Sequence, residues 1–378
     1  MTEYTHQFIN SITAINEKQW HSIAPAHVFT SYAWLAALEL SGCTTKETGW
    51  APHHLVIAAQ GDPVAIIPGY VKSHSYGEYV FDWAFAEAYE RHGLDYYPKW
   101  LCGVPFTPTQ GPRILTKAVS NGLLQYIEAT ITDLAQHGIS GVHINFCTEA
   151  ESEYLAQSQL VQRRNVQFHW HNKGYTQFDD FLATLTSRKR KMILKERQAV
   201  NRQAFEIKWI NGSEISAAQL DAFFLCYRLT YLKRSRHQGY LSHAFFQQVV
   251  TTMPHALRLC CAYVDDEVIA TSLYLVDGDT LYGRYWGAID DSYDFLHFEL
   301  CYYQGIEYAI ANQLAVFDAG AQGEHKLVRG FEPVWRQSYH RLFHPDFQRA
   351  LEDFTQREGD ALEHYFAECN TKLPFKHQ

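Results

Sequence analysis

Several features are missing from this chain, and each absence excludes a class. No run of apolar residues is long enough to span a bilayer, and residues 1–8 lack a basic stretch followed by an apolar one. The sequence therefore predicts a cytoplasmic protein without a membrane span. Charged residues make up only 19% of the 378, and the net charge is −9 with His neutral. Such a chain has no global basic field to hold DNA, and any nucleic-acid contact must come from a local patch. Its 8 cysteines form no C-x-x-C pair and sit mostly in apolar runs, which fits reduced thiols better than a disulfide framework or a zinc site. His53-His54 and His169-x-His171 are too short and isolated to define a metal site. No G-x-S-x-G elbow is present, and no cysteine is set up as a nucleophile. The sequence thus predicts no covalent intermediate, no metal and no permanently bound cofactor.

What is present is apolar and aromatic: 47% hydrophobic residues, with 9 Trp, 24 Tyr and 23 Phe. A chain this long exceeds what one core organises, so two domains are expected, 1–164 and 165–378. Two passages read alike. A turn at Gly61-Asp62-Pro63 leads into a strand at 64–71, and Asp265-Asp266-Glu267 leads into one at 268–276. Each is followed by a helix, at 119–136 and 296–312, and then by a strand, at 142–147 and 315–321. Val64 to Val142 is 78 positions and Val268 to Val316 is 48, so the first copy carries about 30 extra residues. They fall between Lys72 and Pro112. Strand, strand, helix, strand gives an α/β (α+β) unit with a mixed, mostly antiparallel sheet and a parallel crossover near its end.

A strand at 165–171 opens the second half, and a long amphipathic helix follows from Phe178, with Asp179 and Asp180 near its start. Arg188, Lys191, Lys195 and Arg202 fall on one stripe of it, either a solvated flank or an anion site. In the extra segment, Lys72, His74, Tyr76, Glu78 and Asp82 bring ionisable groups among aromatic rings. That composition suits a concave site for a polar ligand, or else a hairpin with alternating faces. Alternation places Tyr282, Arg284 and Trp286 on one strand face. Arg284 there either forks to a carboxylate or phosphate or makes a structural cation-π pair, and Gly283 and Gly287 favour a close approach by another group. His297, near a helix start, is kept neutral by the dipole; it either accepts a proton from an amine or simply caps and packs.

The stretch 317–326, Phe-Asp-Ala-Gly-Ala-Gln-Gly-Glu-His-Lys, runs from a strand through glycines into Glu324, His325 and Lys326. With Leu327 to Phe331 behind it, this resembles the closing motif of the FemAB-like (peptidoglycan biosynthesis) proteins of the GNAT acyltransferase superfamily. The resemblance extends over roughly 29–358. It implies two tandem GNAT-like domains and an N-acyltransferase that moves an activated aminoacyl or acyl group to a small-molecule or peptide amine, in peptidoglycan-precursor chemistry. Lys326, Glu324 and His297 are then the catalytic set, with Lys326 stabilising a tetrahedral intermediate instead of being an ordinary surface lysine. Lys72, His74, Tyr76, Glu78, Asp82, Tyr282, Arg284 and Trp286 are the substrate-binding set. Arg188, Lys191 and Lys195 meet a phosphate-bearing donor. Aminoacyl-tRNA or acyl-CoA is the implied co-substrate. A CoA enzyme of the superfamily carries a glycine-rich pyrophosphate loop where this chain has Asp290, Asp291 and Asp294, which favours the aminoacyl-tRNA branch. A CoA-dependent N-acetyltransferase and a non-catalytic binding module of the same fold are the alternatives.

Overall fold

The computed structural model describes residues 3–203, 205–290, 292–321 and 323–376; Asp291 and Gln322 of the motifs above lie outside them. The described residues form fourteen strands. In chain order these are β1 (Tyr4–Ile9), β2 (Trp50–Pro52), β3 (His54–Ala59), β4 (Asp62–Ile67), β5 (Gly69–Lys72), β6 (Lys99–Cys102) and β7 (Gly141–Cys147). Then follow β8 (Val161–His171), β9 (Glu206–Asn211), β10 (Leu257–Val264), β11 (Glu267–Asp277), β12 (Thr280–Ala288), β13 (Val316–Asp318) and β14 (Glu332–Leu342). The chain divides into two compact units. The N-terminal unit comprises the residues up to Asn165 together with Trp335–His364, and the C-terminal unit comprises Val166–Val334 and the residues from Tyr365.

In the N-terminal unit β1, β3 and β4 make an antiparallel sheet. A second sheet runs β2–β5–β6 antiparallel, then parallel from β6 to β7, then antiparallel to the residues of β14 from Gln337 on. Two helices matter here, α1 (Trp83–Arg91) and α2 (Asn121–Thr132). α2 makes the crossover that a parallel step requires. Ser120 caps it by accepting from the Leu123 N–H, and its apolar stripe of Leu123, Ile127 and Ile131 packs with Trp100, Ile67 and Ile144. The helix expected over 119–136 is this α2, tightened into a 3-10 turn at Asp133–His137.

The C-terminal unit runs β9–β10–β11–β12 antiparallel, β12 to β13 parallel, and β13 to the end of β8 antiparallel. Its helices are α3 (Phe178–Thr184), α4 (Ser187–Asn201), α5 (Ala217–Ser235) and α6 (296–311). The two units therefore repeat one order: β5, β6, α2, β7 in the first and β11, β12, α6, β13 in the second. Each has an antiparallel neighbour followed by a parallel step across a helix, the arrangement the sequence comparison of the two halves implies. The extra length of the first copy is also located. Residues 73–98 separate β5 from β6, whereas β11 and β12 are joined by a turn at Gly278, whose φ of 55° favours glycine.

Four expectations need correction. The strand expected over 64–71 is two strands, β4 and β5, interrupted at Pro68 and paired in different sheets. The helix from Phe178 is two helices, because Leu185 is extended and bridges Phe375, and the Thr186 N–H donates to Pro374 O at 2.8 Å. Competing backbone partners thus break a pattern that sequence spacing reads as continuous. Segment 73–82 is a series of turns and not an alternating hairpin, since the buried side chains described below hold it. The strand expected over 315–321 stops at Asp318, because Gly320 turns with φ of 90°.

Candidate functional site

In the C-terminal unit β12 and β13 pair only over Thr280–Tyr282 and Val316–Asp318, and then part. A β-bulge sits at the fork. Tyr274 opposes Gly283 and Leu273 opposes Tyr285, which leaves Arg284 as the extra residue. Bulges re-aim side chains, and this one sends the Arg284 guanidinium to Asp318 Oδ2 at 2.7 Å, with the Tyr282 ring 5.4 Å away. Asp318 Oδ1 accepts the Gly320 N–H at 2.8 Å, and His169 Nε2 lies 3.7 Å from Oδ2. The alternation expected over Tyr282, Arg284 and Trp286 therefore breaks at the bulge, and a buried carboxylate of the protein already fills the Arg284 fork. The close approach expected at Gly287 is also internal. A Cβ there would lie 2.0 Å from Cys226 O on α5.

Beyond the fork, Gly323 (φ 112°) starts the short 3-10 helix Glu324–Arg329. Lys326 is buried there and its Nζ donates to Gly320 O. Burial pushes its ammonium down to about 8, with Asp318 opposing the shift and Arg284 adding to it. Glu324 is exposed and accepts the Tyr365 hydroxyl at 2.9 Å. His297 packs on Trp286 at 5.3 Å between ring centroids. Burial, with His325, Arg234, Arg329 and Lys326 nearby, pushes it down to about 3, so it is neutral as expected but a very weak base.

α6 is irregular where it faces this region: Glu299–Tyr303 form a π turn. Such turns are uncommon and concentrate at functional sites. Ion pairs hold this one in place. Arg197 on α4 spans Glu299 and Glu307 at 2.7–3.2 Å, and Glu196 accepts Arg329 at 2.8 and 2.9 Å and the Tyr303 hydroxyl. The polar groups of the basic helix thus divide by face. Glu196 and Arg197 fix the structure, while Arg188, Lys191 and Lys195 are exposed and have no ion pair or side-chain hydrogen bond among the described residues.

In the N-terminal unit the segment expected to bind substrate is tied down by charge. Lys99, absent from the expected set, donates to Ser75 Oγ at 2.9 Å, Glu78 at 2.8 Å and Asp82. Tyr96 OH donates to Asp82 Oδ2 at 2.6 Å. Lys72 donates to Gly49 O at 3.0 Å and sits 3.6 Å from the centre of the Trp50 ring. Lys72, Glu78, Asp82 and Lys99 are all buried, and the two carboxylates answer the Lys99 ammonium instead of facing solvent. Of the five residues singled out here, His74 and Tyr76 reach the surface. Tyr76 is 55% exposed, and His74 Nε2 donates to Thr48 O at 2.9 Å while its Nδ1 accepts the Tyr76 N–H.

Burial pushes Lys72 down to about 6, against the pull of Glu78, and pushes Glu78 up to about 7, against Lys99. The unfolded chain holds the Lys72 proton up to its ordinary 10.5, so above pH 6 it binds more protons than the folded state and stability rises with pH. Glu78 works the other way: its share is lost as pH rises through about 7, so it offsets part of that increase. Between about pH 7 and 8 stability should therefore increase by roughly 1 kcal/mol. Chemical denaturation of wild type and Lys72→Met at the two pH values tests this, and the variant should lose the increase.

Lys99 and Asp318 went unrecognised because each carries its meaning only with its partner. Lys99 sits in the apolar run Trp100-Leu101-Cys102, and Asp318 follows a buried Phe. An ionisable residue inside a buried run is the signal that could have found both.

Among the described residues no helix is long and apolar enough to cross a membrane, and no group of three or more His, Cys, Asp or Glu is placed to hold a metal ion. No curated protein matches the chain. Among the solved structures that share its fold along most of their length are FemX and a synthetase domain. FemX is 11% identical, with 93% of this chain and 100% of that one covered at a TM-score of 0.55. The C-terminal domain of a candidate lysylphosphatidylglycerol synthetase from Agrobacterium fabrum is 9% identical, with 90% and 95% covered at 0.54. At such identities the likeness is one of fold. The model of the FemAB-like family, described as peptidoglycan biosynthesis/recognition, matches residues 11–377. With a doubled α/β order, a forked strand pair in its second half and a family match over nearly its whole length, this chain belongs to the FemAB-like family.

Proposed function

We propose that the chain is an N-acyltransferase that moves an activated aminoacyl or acyl group onto an amine acceptor related to peptidoglycan precursors, with the reacting groups in its C-terminal unit. The observation that carries this reading is the buried Lys326 ammonium, held near pH 8, beside the point where β12 and β13 part. A parted parallel pair gives a donor a strand edge to lie along, and a desolvated cation beside it stabilises the oxyanion that forms when an amine attacks a carbonyl. In the reaction the amine nitrogen bonds to the acyl carbon, the bond to the leaving oxygen or sulfur breaks, and one proton passes from the amine to the leaving group.

Glu324 lies at the exposed rim of the site and His297 in its wall, next to Trp286. Tyr282 lies on the other face of β12 from Trp286, and Arg284 is locked at the fork by Asp318. The exposed stripe of Arg188, Lys191 and Lys195 suits a phosphate backbone, which makes aminoacyl-tRNA the favoured donor. Acyl-CoA is disfavoured by the loop before α6, where Asp290 accepts two hydrogen bonds from Ser292 that hold its carboxyl low and therefore charged. In the N-terminal unit, Lys72, Glu78 and Asp82 set the shape of a recognition surface that His74 and Tyr76 present to a peptide or small-molecule amine.

Incubating the protein with aminoacyl-tRNA or acyl-CoA and peptide amines, and weighing the products, tests the reading. An amide formed from aminoacyl-tRNA is expected. An amide from acyl-CoA alone would identify the other donor. Saturable peptide binding without any amide would mean a binding module.

A further inference from the structure

The run Glu324, His325, Lys326 offers a second imidazole that no role above uses, and three contacts fix it. Its ring lies over Gly323, where a Cβ would come within 2.4 Å of His325 Cε1. Its Nε2 is 2.7 Å from the hydroxyl of Tyr302 in the π turn. Its carbonyl accepts Arg329 Nη1 at 2.9 Å, and Arg329 is itself gripped by Glu196 and by Tyr303 at 2.9 Å. His325 is nevertheless exposed, and its Nδ1 has no hydrogen-bond partner among the described residues. A fixed imidazole with one nitrogen tethered and the other open, adjacent in sequence to a buried lysine, has the form of an oriented base.

We infer that His325 takes the proton from the attacking amine, with Tyr302 as the residue that orients its ring; this rests on the acyl-transfer reading above. In this assignment the Tyr302 phenol, which burial keeps protonated, accepts from Nε2–H across their 2.7 Å contact. That tautomer leaves the lone pair on Nδ1. As the amine nitrogen bonds to the acyl carbon, an N–H proton moves to Nδ1. The bond from carbonyl carbon to ester oxygen then breaks, and the departing oxygen takes that proton from the imidazolium. One amide and one hydroxyl result, and the imidazole is neutral again. Burial, followed by Arg329, Lys326 and Arg234, also lowers the proton affinity of His325, so the free base predominates at neutral pH. His297 is held far lower by its deeper burial and accepts a proton much less readily.

The test is kcat/KM for amide formation from about pH 5 to 9 in wild type, His325→Gln and Tyr302→Phe, with far-UV circular dichroism as the fold control. His325→Gln should lose roughly 10²- to 10⁴-fold in kcat with the acceptor KM little changed, and should lose the acid limb of the profile. Tyr302→Phe should keep that limb and move it to lower pH, because the imidazolium loses its hydrogen-bond acceptor. This shift can be read even if His325→Gln folds poorly. A wild type that turns over while His325→Gln matches its rate, or a limb unmoved in Tyr302→Phe, overturns the assignment of the base and leaves the acyl-transfer reading standing. A wild type that forms no amide from any donor overturns that reading, and this inference with it.

Discussion

Lys326→Met should lower kcat for amide formation by roughly 10²- to 10³-fold while the protein stays folded. The magnitude follows from what the ammonium does. It is buried, it is pinned to the Gly320 carbonyl, and burial already costs it proton affinity. A cation in that state gains most when negative charge develops beside it, so its removal should be felt in the transition state far more than in binding. The signature is therefore a fall in kcat with KM little changed. Met fills the same volume without the charge, and Gly320 O, which also lies in a turn, loses one donor. If Lys326 were only a structural tether, the same substitution would lower the denaturation midpoint and leave kcat near wild type.

The second large effect is on stability. Lys99→Met should destabilise the N-terminal unit by about 3–5 kcal/mol, because it leaves Glu78 and Asp82 buried without their main partner. The pair cannot relax toward water, since both carboxylates are almost fully covered. Removing the carboxylates as well should recover part of the loss. Lys99→Met with Asp82→Asn and Glu78→Gln should be closer to wild type than the single variant, a non-additivity expected of groups in one network. Urea denaturation of the three proteins measures it. A single variant as stable as wild type would mean that the cluster is solvated and not dry.

How much of this was legible in the sequence follows from the range of each signal. The doubled strand, strand, helix, strand order was legible, because burial imposes a period of two or 3.6 on neighbouring residues and both halves show it. The insertion was legible for the same reason, as a difference in spacing between matching strands. The break at Leu185 was not, because it depends on Pro374 and Phe375, nearly two hundred positions away. The bulge at Arg284 was hidden too. Alternation continues in the letters through Tyr282, Arg284 and Trp286, and only pairing with Leu273 and Tyr274 shows that one residue is extra.

The candidate sites divide in the same way. Lys326 was found through the glycines before it, which mark a turn at a strand end. Lys72, Glu78 and Asp82 were recognised as a charged cluster, but the sequence could not show that Lys99 neutralises it from the next strand. A charge reads as a ligand group until its partner is known. His325 is not legible as a site residue, because nothing nearby in sequence announces Tyr302, whose hydroxyl meets it from the π turn of α6.

The most direct test is a crystal structure of the protein with a stable amide-linked analogue of an aminoacyl-tRNA 3′ end. The predicted result places the analogue's carbonyl oxygen about 3 Å from Lys326 Nζ, along the parted edge of β12. An analogue bound with its carbonyl away from Lys326, or seated wholly within the N-terminal unit, would contradict the account.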